Sequence, residues 1–284
     1  MSFTALILFG VLKLSAATPP MPEPLSITTA DGVALRLVSQ GTGKPIVFIP
    51  GWTMTAEIWE AQMQAFAPFY RCVSFDPRGQ GQSAKPAHGY DSRRRAADVH
   101  EILEQLDLRD AVLVGWSLGA IDVVNYLQRY GNDRIRGVVL VDNSVDRNFA
   151  LGHPGARLLK SLRDESVDTG ALVQNQVIAM FKSAIPEQRL QEIKALCAQT
   201  PDFVARESLA KATTGDGLAA ALGKACVPAL YAVTPRFAEE GHKLKEAMGP
   251  GLTLEIFELA GHALFVDEPE RFNRLLADFM AGLP

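Results

Sequence analysis

The pentapeptide Gly115-Trp116-Ser117-Leu118-Gly119 follows an apolar run at 110–114 and precedes a helical pattern over 120–130. Strand, tight turn and helix form the context in which G-x-S-x-G presents a nucleophile. The turn lifts one serine hydroxyl clear of a sheet, and flanking glycines avoid a Cβ collision. A serine hydroxyl is a poor nucleophile at neutral pH. It needs a base within hydrogen-bond reach, and the base needs a group to orient it. The chain has five histidines, at 88, 100, 153, 242 and 262. His262, in Ala260-Gly261-His262-Ala263, falls just after the last expected strand and before the last helix, so a loop carries it to the same sheet edge as Ser117. His88 lies in a Pro/Gly loop, His100 and His242 in helical patterns, and His153 in a segment that could reach a pocket from above.

The surrounding elements must bring these groups together. Strand patterns are expected at 25–29 and 33–38, joined by Asp31-Gly32, a hairpin signal. Others follow at 45–49, 70–75, 110–114, 135–141, 227–233 and 252–259, eight in all. Helical periodicity falls between most of them, at 57–66, 92–106, 120–130, 237–248 and 269–279. Alternating strands and helices predict an α/β fold: a mostly parallel sheet covered by helices on both faces. From about 143 to 225 no strand pattern occurs. Helical patterns run near 154–163, 171–183, 186–198, 201–212 and 218–224, several opened by Pro, which suits a first helical turn. Three parts are therefore expected: an N-terminal segment 1–24, a core of 25–143 plus 226–284, and a helical cap 144–225 inserted after the sixth strand. Open sheets of this kind bind ligands at the carboxyl ends of their strands, so the cap would roof Ser117.

The chain has 284 residues, 48% hydrophobic and 21% charged, enough for a sizeable core. Its formal net charge is -4, with no basic stripe, which excludes nucleic acid as an expected partner. The run Arg93-Arg94-Arg95 reads as the solvated start of a helix. Three cysteines, at 72, 197 and 226, form no C-x-x-C, so neither a zinc site nor a redox pair is expected; Cys72 reads as a buried small hydrophobe. The apolar run 3–12, followed by Ser15-Ala16-Ala17, has signal-peptide length but lacks a preceding Lys or Arg. It leaves open export to the periplasm or beyond, or an apolar arm on a cytoplasmic protein. It is too short to span a bilayer as a helix. Pro19, Pro20, Pro22 and Pro24 make a stiff linker.

Four motifs in order carry a resemblance to the α/β-hydrolase superfamily from about residue 25 onward: Pro50-Gly51-Trp52, Asp76-Pro-Arg-Gly-Gln-Gly-Gln-Ser83, Gly115-Trp-Ser-Leu-Gly119 and Gly261-His262. Gly51-Trp52 together with Gly-Trp-Ser-Leu-Gly looks like carboxylesterases of that superfamily, while Asp107-Leu-Arg-Asp-Ala-Val-Leu-Val-Gly115 looks like its cofactor-free haloperoxidases (perhydrolases). The resemblance implies an oxyanion hole made by the backbone N–H of Leu118 and of Trp52. Pro50 stands where many relatives have His, a change of little consequence for a main-chain donor. Asp76, Arg78, Gly79 and Gly81 are expected to fix the loop after the fourth strand.

The acid departs from the family pattern. Most relatives carry an Asp after the strand matching 227–233, but here that loop reads Thr234-Pro-Arg-Phe-Ala-Glu-Glu240. Some relatives carry the acid at the end of the preceding strand, which here ends in Asp142. Asp142 is the first choice; Asp146, Glu239 and Glu240 remain alternatives. Ser at the nucleophile position, rather than Asp, disfavours haloalkane dehalogenase and epoxide hydrolase chemistry.

The expectation is a serine hydrolase of small carboxylic esters, working through an acyl-enzyme with Ser117, His262 and Asp142, and needing neither metal nor organic cofactor. Leu158, Leu159, Val177, Met180, Phe181 and Ile185 are expected to line a pocket for an apolar acyl or alcohol group. Alternatives are a perhydrolase or carbon–carbon bond hydrolase on the same serine and, from another class, a non-catalytic ligand-binding member of the fold. The sequence does not set the oligomeric state.

Overall fold

The computed structural model describes residues 24–146 and 156–284. The expected export segment, the proline linker up to residue 23, the start of the 154–163 helix and His153 lie outside the described residues. Eight strands form one sheet: β1 (Pro24–Thr28), β2 (Ala34–Gln40), β3 (Pro45–Ile49), β4 (Arg71–Phe75), β5 (Ala111–Trp116), β6 (Ile135–Val141), β7 (Ala229–Val233) and β8 (Leu252–Ile256). Their spatial order is β1-β2-β4-β3-β5-β6-β7-β8. The β1–β2 and β2–β4 pairs are antiparallel and all others parallel. The expected hairpin forms at Asp31-Gly32, where Gly32 adopts φ +81°. The last strand stops at Ile256, three residues before the expected end.

Successive side chains of a strand face opposite sides, and the inner strands use both. Ile46, Phe48, Val112, Val114 and Trp116 pack into one buried cluster; Val47, Ile49, Ala111 and Leu113 pack into another on the opposite face. The helices are α1 (Glu60–Phe66), α2 (Ser92–Gln105), α3 (Leu118–Tyr130), α4 (Ala156–Arg163), α5 (Thr169–Ala179), α6 (Glu187–Cys197), α7 (Asp202–Ala210), α8 (Gly217–Ala225), α9 (Ala238–Met248), α10 (Leu264–Asp267) and α11 (Pro269–Ala281). Side chains of α5, α6 and α7 join the first cluster. Helix α8 instead sends Leu218, Ala221 and Leu222 into the second cluster, beside Val123, Val124 and Leu127 of α3.

The arginine run departs from its sequence reading. Asp91 caps α2 by accepting from the N–H groups of Arg93 and Arg94, and only Arg93 faces solvent. Helical periodicity turns Arg95 onto the inner face shared with Val99 and Ile102. There its guanidinium pairs with buried Asp122 at 2.9 Å and donates to the carbonyls of Tyr90 (2.7 Å) and Ser208 (3.0 Å). A buried guanidinium persists because its donors are met.

Candidate active site

Parallel pairing aligns the carboxyl ends of β5, β6 and β7. Trp116 lies opposite Val141, and Val141 opposite Ala232. The ladder runs one residue past each strand: Ser117 N–H donates to Val141 O at 2.9 Å and Asp142 N–H to Ala232 O at 2.9 Å. Ser117 and Asp142 thus begin neighbouring loops at one sheet edge. Both backbones turn sharply there, with φ of +55° at Ser117 and +43° at Asp142. Such left-handed conformations cost a non-glycine residue energy and persist where the surroundings fix them. At Ser117 the fixing groups are the strand bond just described and the Asn143 side-chain amide, which donates to Ser117 O at 2.8 Å.

Close packing explains the elbow glycines. A Cβ on Gly115 would lie 2.4 Å from Gly119 O, and one on Gly119 would lie 2.4 Å from Ile49 O. The third strand and the elbow helix therefore approach at backbone distance. A Cβ on Gly51 would stand 3.0 Å from Ser117 Cβ, so the loop after β3 also abuts the serine.

His262 reaches the same point from the loop after β8. Its Nε2 lies 2.9 Å from Ser117 Oγ and its Nδ1 2.7 Å from Asp142 Oδ2. Asp142 is fully buried, and its other oxygen accepts from both the N–H and the hydroxyl of Thr234, each at 2.7 Å. Trp116 Nε1 holds the His262 carbonyl at 2.8 Å. The helix that follows anchors the loop through Phe265, which stacks on Trp59 at 3.9 Å and meets Trp116 edge-on at 5.2 Å; aromatic pairs of this kind contribute about 0.5–1.5 kcal/mol beyond burial.

The carboxylates of Glu239 and Glu240 are engaged elsewhere. Exposed Glu239 pairs with Lys243 at 2.6 Å. Glu240 accepts from Ser144 Oγ at 2.6 Å, Val145 N–H at 2.7 Å and Tyr231 OH at 3.2 Å. Burial first, and then the Glu240 charge, push the Tyr231 phenol well above its usual range, so it stays a donor. Asp146 has its main-chain carbonyl bonded to Thr214 Oγ1. Of the candidate acids, only Asp142 hydrogen-bonds the His262 ring among the described residues. His100 stacks on Tyr130 at 3.9 Å, remote from this chemistry.

Leu118 opens α3, so its N–H has no acceptor four residues back. Neither it nor the Trp52 N–H donates to another protein group among the described residues. The Trp52 indole donates to Ala205 O of α7 at 2.8 Å, tying the loop after β3 to the inserted helices. Of the expected pocket residues, Val177 and Met180 are buried, Leu158 and Phe181 pack partly buried against the same cluster, and Ile185 is half-buried. The Leu159 side chain lies outside the described residues.

Sequence reasoning passed over several residues that shape this site. Gln80 and Thr234 carry no charge, and their partners are 26–29 and 92 residues away. Asp267 accepts from Gly261 N–H at 2.7 Å and from the N–H groups of Lys182 (3.0 Å) and Ser183 (2.9 Å), stapling the histidine loop to the segment after α5. Among the described residues no group of three or more His, Cys, Asp or Glu is placed to hold a metal ion, and no helix is long and apolar enough to cross a membrane.

The family described as alpha/beta hydrolase fold matches this chain over residues 44–206. A non-heme chloroperoxidase of Kitasatospora aureofaciens is 39% identical over 115 residues, 40% of this chain and 42% of that protein. A bifunctional esterase/perhydrolase of Acinetobacter calcoaceticus is 36% identical over 118 residues, 40% of this chain and 43% of that protein. The chain thus spans about two-fifths of the length of these curated relatives. An esterase from Exiguobacterium antarcticum superimposes with a TM-score of 0.79 at 26% identity, over 90% of this chain and 99% of that one.

Proposed function

This chain belongs to the α/β-hydrolase fold family, and within it we propose a serine hydrolase that cleaves carboxylic esters through an acyl-enzyme. One observation carries the reading: the unbroken relay from Asp142 Oδ2 to His262 Nδ1 at 2.7 Å and from His262 Nε2 to Ser117 Oγ at 2.9 Å. With Nδ1–H given to Asp142, Nε2 is left as an acceptor for the serine proton. Ser117 Oγ attacks the acyl carbon as His262 takes that proton. Negative charge gathers on the former carbonyl oxygen, where the N–H groups of Leu118 and Trp52 receive it. His262 then passes the proton to the leaving alcohol. Water, activated by the same imidazole, releases the acid. Asp142 holds the tautomer and stabilises the imidazolium without taking the proton.

The inserted segment 144–225 acts in this reading as a cap, and the apolar side chains at Leu158, Met180 and Phe181 favour an ester with an apolar acyl or alcohol group. A second reading keeps the same serine but lets hydrogen peroxide replace water at the acyl-enzyme, giving a peracid. The matches to a chloroperoxidase and to an esterase/perhydrolase favour testing it.

The test is turnover of p-nitrophenyl esters by the wild-type chain and by Ser117→Ala, alongside mass-spectrometric mapping of a fluorophosphonate adduct. Ester release abolished in the variant and an adduct on Ser117 are expected. A folded wild-type chain with no turnover and no adduct overturns the reading in favour of a non-catalytic ligand binder. Halide oxidation that depends on peroxide and acetate, at rates above ester hydrolysis, favours the perhydrolase.

A further inference from the structure

We propose that Gln80 is the positioning residue of the oxyanion hole: its buried amide holds the Gly51–Met54 turn in the one peptide arrangement that keeps the Trp52 N–H free for an oxyanion. The inference rests on the serine-hydrolase reading above.

The turn is under conformational tension. Met54 N–H donates to Gly51 O at 3.2 Å, closing a four-residue turn with Trp52 and Thr53 at its centre. Thr53, the third residue, has φ +60°, while Trp52 does not have positive φ. That combination matches a type II turn, whose third position favours Gly or Asn. A β-branched threonine is a poor occupant. Rotating the Trp52–Thr53 peptide would convert the turn to type I and relieve Thr53. It would also swing the Thr53 N–H to the other side.

Gln80 opposes that rotation. It is 2% exposed. Its Oε1 accepts from Thr53 N–H at 2.9 Å, and its Nε2 donates to Gly51 O at 3.1 Å and Met54 O at 2.6 Å. One side chain thus fills its acceptor and its donors on one turn. The oxygen and nitrogen cannot be exchanged, because an N–H must meet the oxygen and two carbonyls must meet the NH2 group. Gly51 C=O and Trp52 N–H belong to the same planar trans peptide and project in opposite directions. Fastening that carbonyl to Gln80 therefore turns the Trp52 N–H away from Gln80.

Gln80 is itself fixed. It stands between Gly79 (φ +81°) and Gly81 (φ +48°), where a Cβ on Gly81 would lie 2.4 Å from Asp76 Oδ2. Asp76 accepts from Ala56 N–H at 2.9 Å and Gln82 N–H at 2.8 Å, binding the loop after β4 to the chain just beyond the turn. The turn borders the serine, since Gly51 abuts Ser117 Cβ.

The test compares the wild-type chain with Gln80→Met, which fills similar space without an amide, and Gln80→Asn, which keeps the amide one methylene short of the turn. Turnover of an ester is measured against its thionoester, whose sulfur is a weak acceptor, and the crystal structure of each variant is solved. Loss of one oriented donor predicts a kcat lower by about 10²-fold with KM nearly unchanged. The ester-to-thionoester ratio should fall, and the Gly51–Trp52 peptide, which carries the donor N–H, should be reoriented along with the Trp52–Thr53 peptide. A side chain that only stabilises the fold would leave that ratio alone. Should Gln80→Met fail to fold, Gln80→Asn decides by the same two readouts. A wild-type ratio with an unrotated turn overturns the proposal. If the wild-type chain neither turns over esters nor takes a fluorophosphonate, the hydrolase reading falls. Gln80 is then judged by the variant crystal structure alone, where an unrotated turn overturns its role.

Discussion

Thr234 donates twice to one oxygen of Asp142: its N–H and its hydroxyl each meet Oδ1 at 2.7 Å, leaving Oδ2 to His262. The loop after β7, where the family resemblance leads one to look for an acid, supplies donors instead. The carboxylate comes from the end of β6 and its polar partners from the residue that follows β7. A buried carboxylate needs such partners, since its desolvation is otherwise uncompensated.

Thr234→Val keeps the branched shape and the N–H but deletes the hydroxyl. Hydrogen bonds to charged groups contribute about 1.5–3 kcal/mol, so a melting temperature lower by several degrees is expected. Asp142 regains freedom to turn from His262, and kcat should fall about tenfold, a typical cost for loosened orientation. Thr234→Ser should retain both properties. Calorimetry and initial rates on the three proteins check this; a Val variant with wild-type kcat would show that the N–H alone suffices.

Asp142→Asn keeps an oxygen for Thr234 but turns an NH2 group toward His262 Nδ1. That nitrogen must then accept, so the proton moves to Nε2, which can no longer take one from Ser117. In a triad this tautomer error lowers kcat about 10⁴-fold with the geometry intact. Steady-state kinetics and a melting curve are the measurement. Turnover within tenfold of wild type would hand the acid role to Asp146, Glu239 or Glu240.

Away from the site, Asp31 offers a pH dependence. Its carboxyl receives two hydrogen bonds from the Arg78 guanidinium, at 3.0 and 3.1 Å, and these chiefly hold it well below its usual 3.8. A depressed folded-state pKa means that the unfolded chain binds the proton more readily. The stabilisation is therefore present above pH 3.8 and is lost as pH falls toward the folded value. The side chain is 40% exposed, so solvent screening keeps the effect small. Asp31→Asn should melt a few degrees lower at pH 7, and that gap should narrow at pH 3. Equal gaps at both values would contradict the linkage.

What was legible in the sequence had local signatures. Runs of alternating or continuous apolar residues marked the strands, and the two glycines around Ser117 marked the elbow because backbone meets backbone there. His262 could be found by its position after the last strand. Other features depend on contacts that only folding creates. Arg95 looks like its neighbours Arg93 and Arg94 until α2 rotates it inward against Asp122. Gln80 and Thr234 are ordinary loop residues until segments far apart in the chain meet. Asp267 sits within a four-residue helix, and the docking of 182–183 adds two donors to the one from Gly261. Uncharged or common side chains that act by holding main chain leave no spacing rule to read.

Gly51 bounds the space around the serine. An added Cβ would stand 3.0 Å from Ser117 Cβ and 3.2 Å from Trp116 Cε3, so one side must yield. Ser117 cannot retreat: its N–H is bonded to Val141 O at 2.9 Å, its carbonyl accepts from Asn143 at 2.8 Å, and its φ is fixed at +55°. The turn at 51–54 must move outward and carry the Trp52 N–H with it. The shift needed is a few tenths of an ångström; since a misplacement near 1 Å costs about 10²-fold in rate, Gly51→Ala should lose up to roughly 10-fold in kcat while Ser117 still takes a fluorophosphonate. Gly32→Ala is the control: nothing lies within 4 Å of its Cβ position, but its φ is +81°. It should lower the melting temperature by a few degrees and leave kcat unchanged. If Gly51→Ala turned over substrate as fast as Gly32→Ala, the close approach of this loop to the serine would have no part in catalysis.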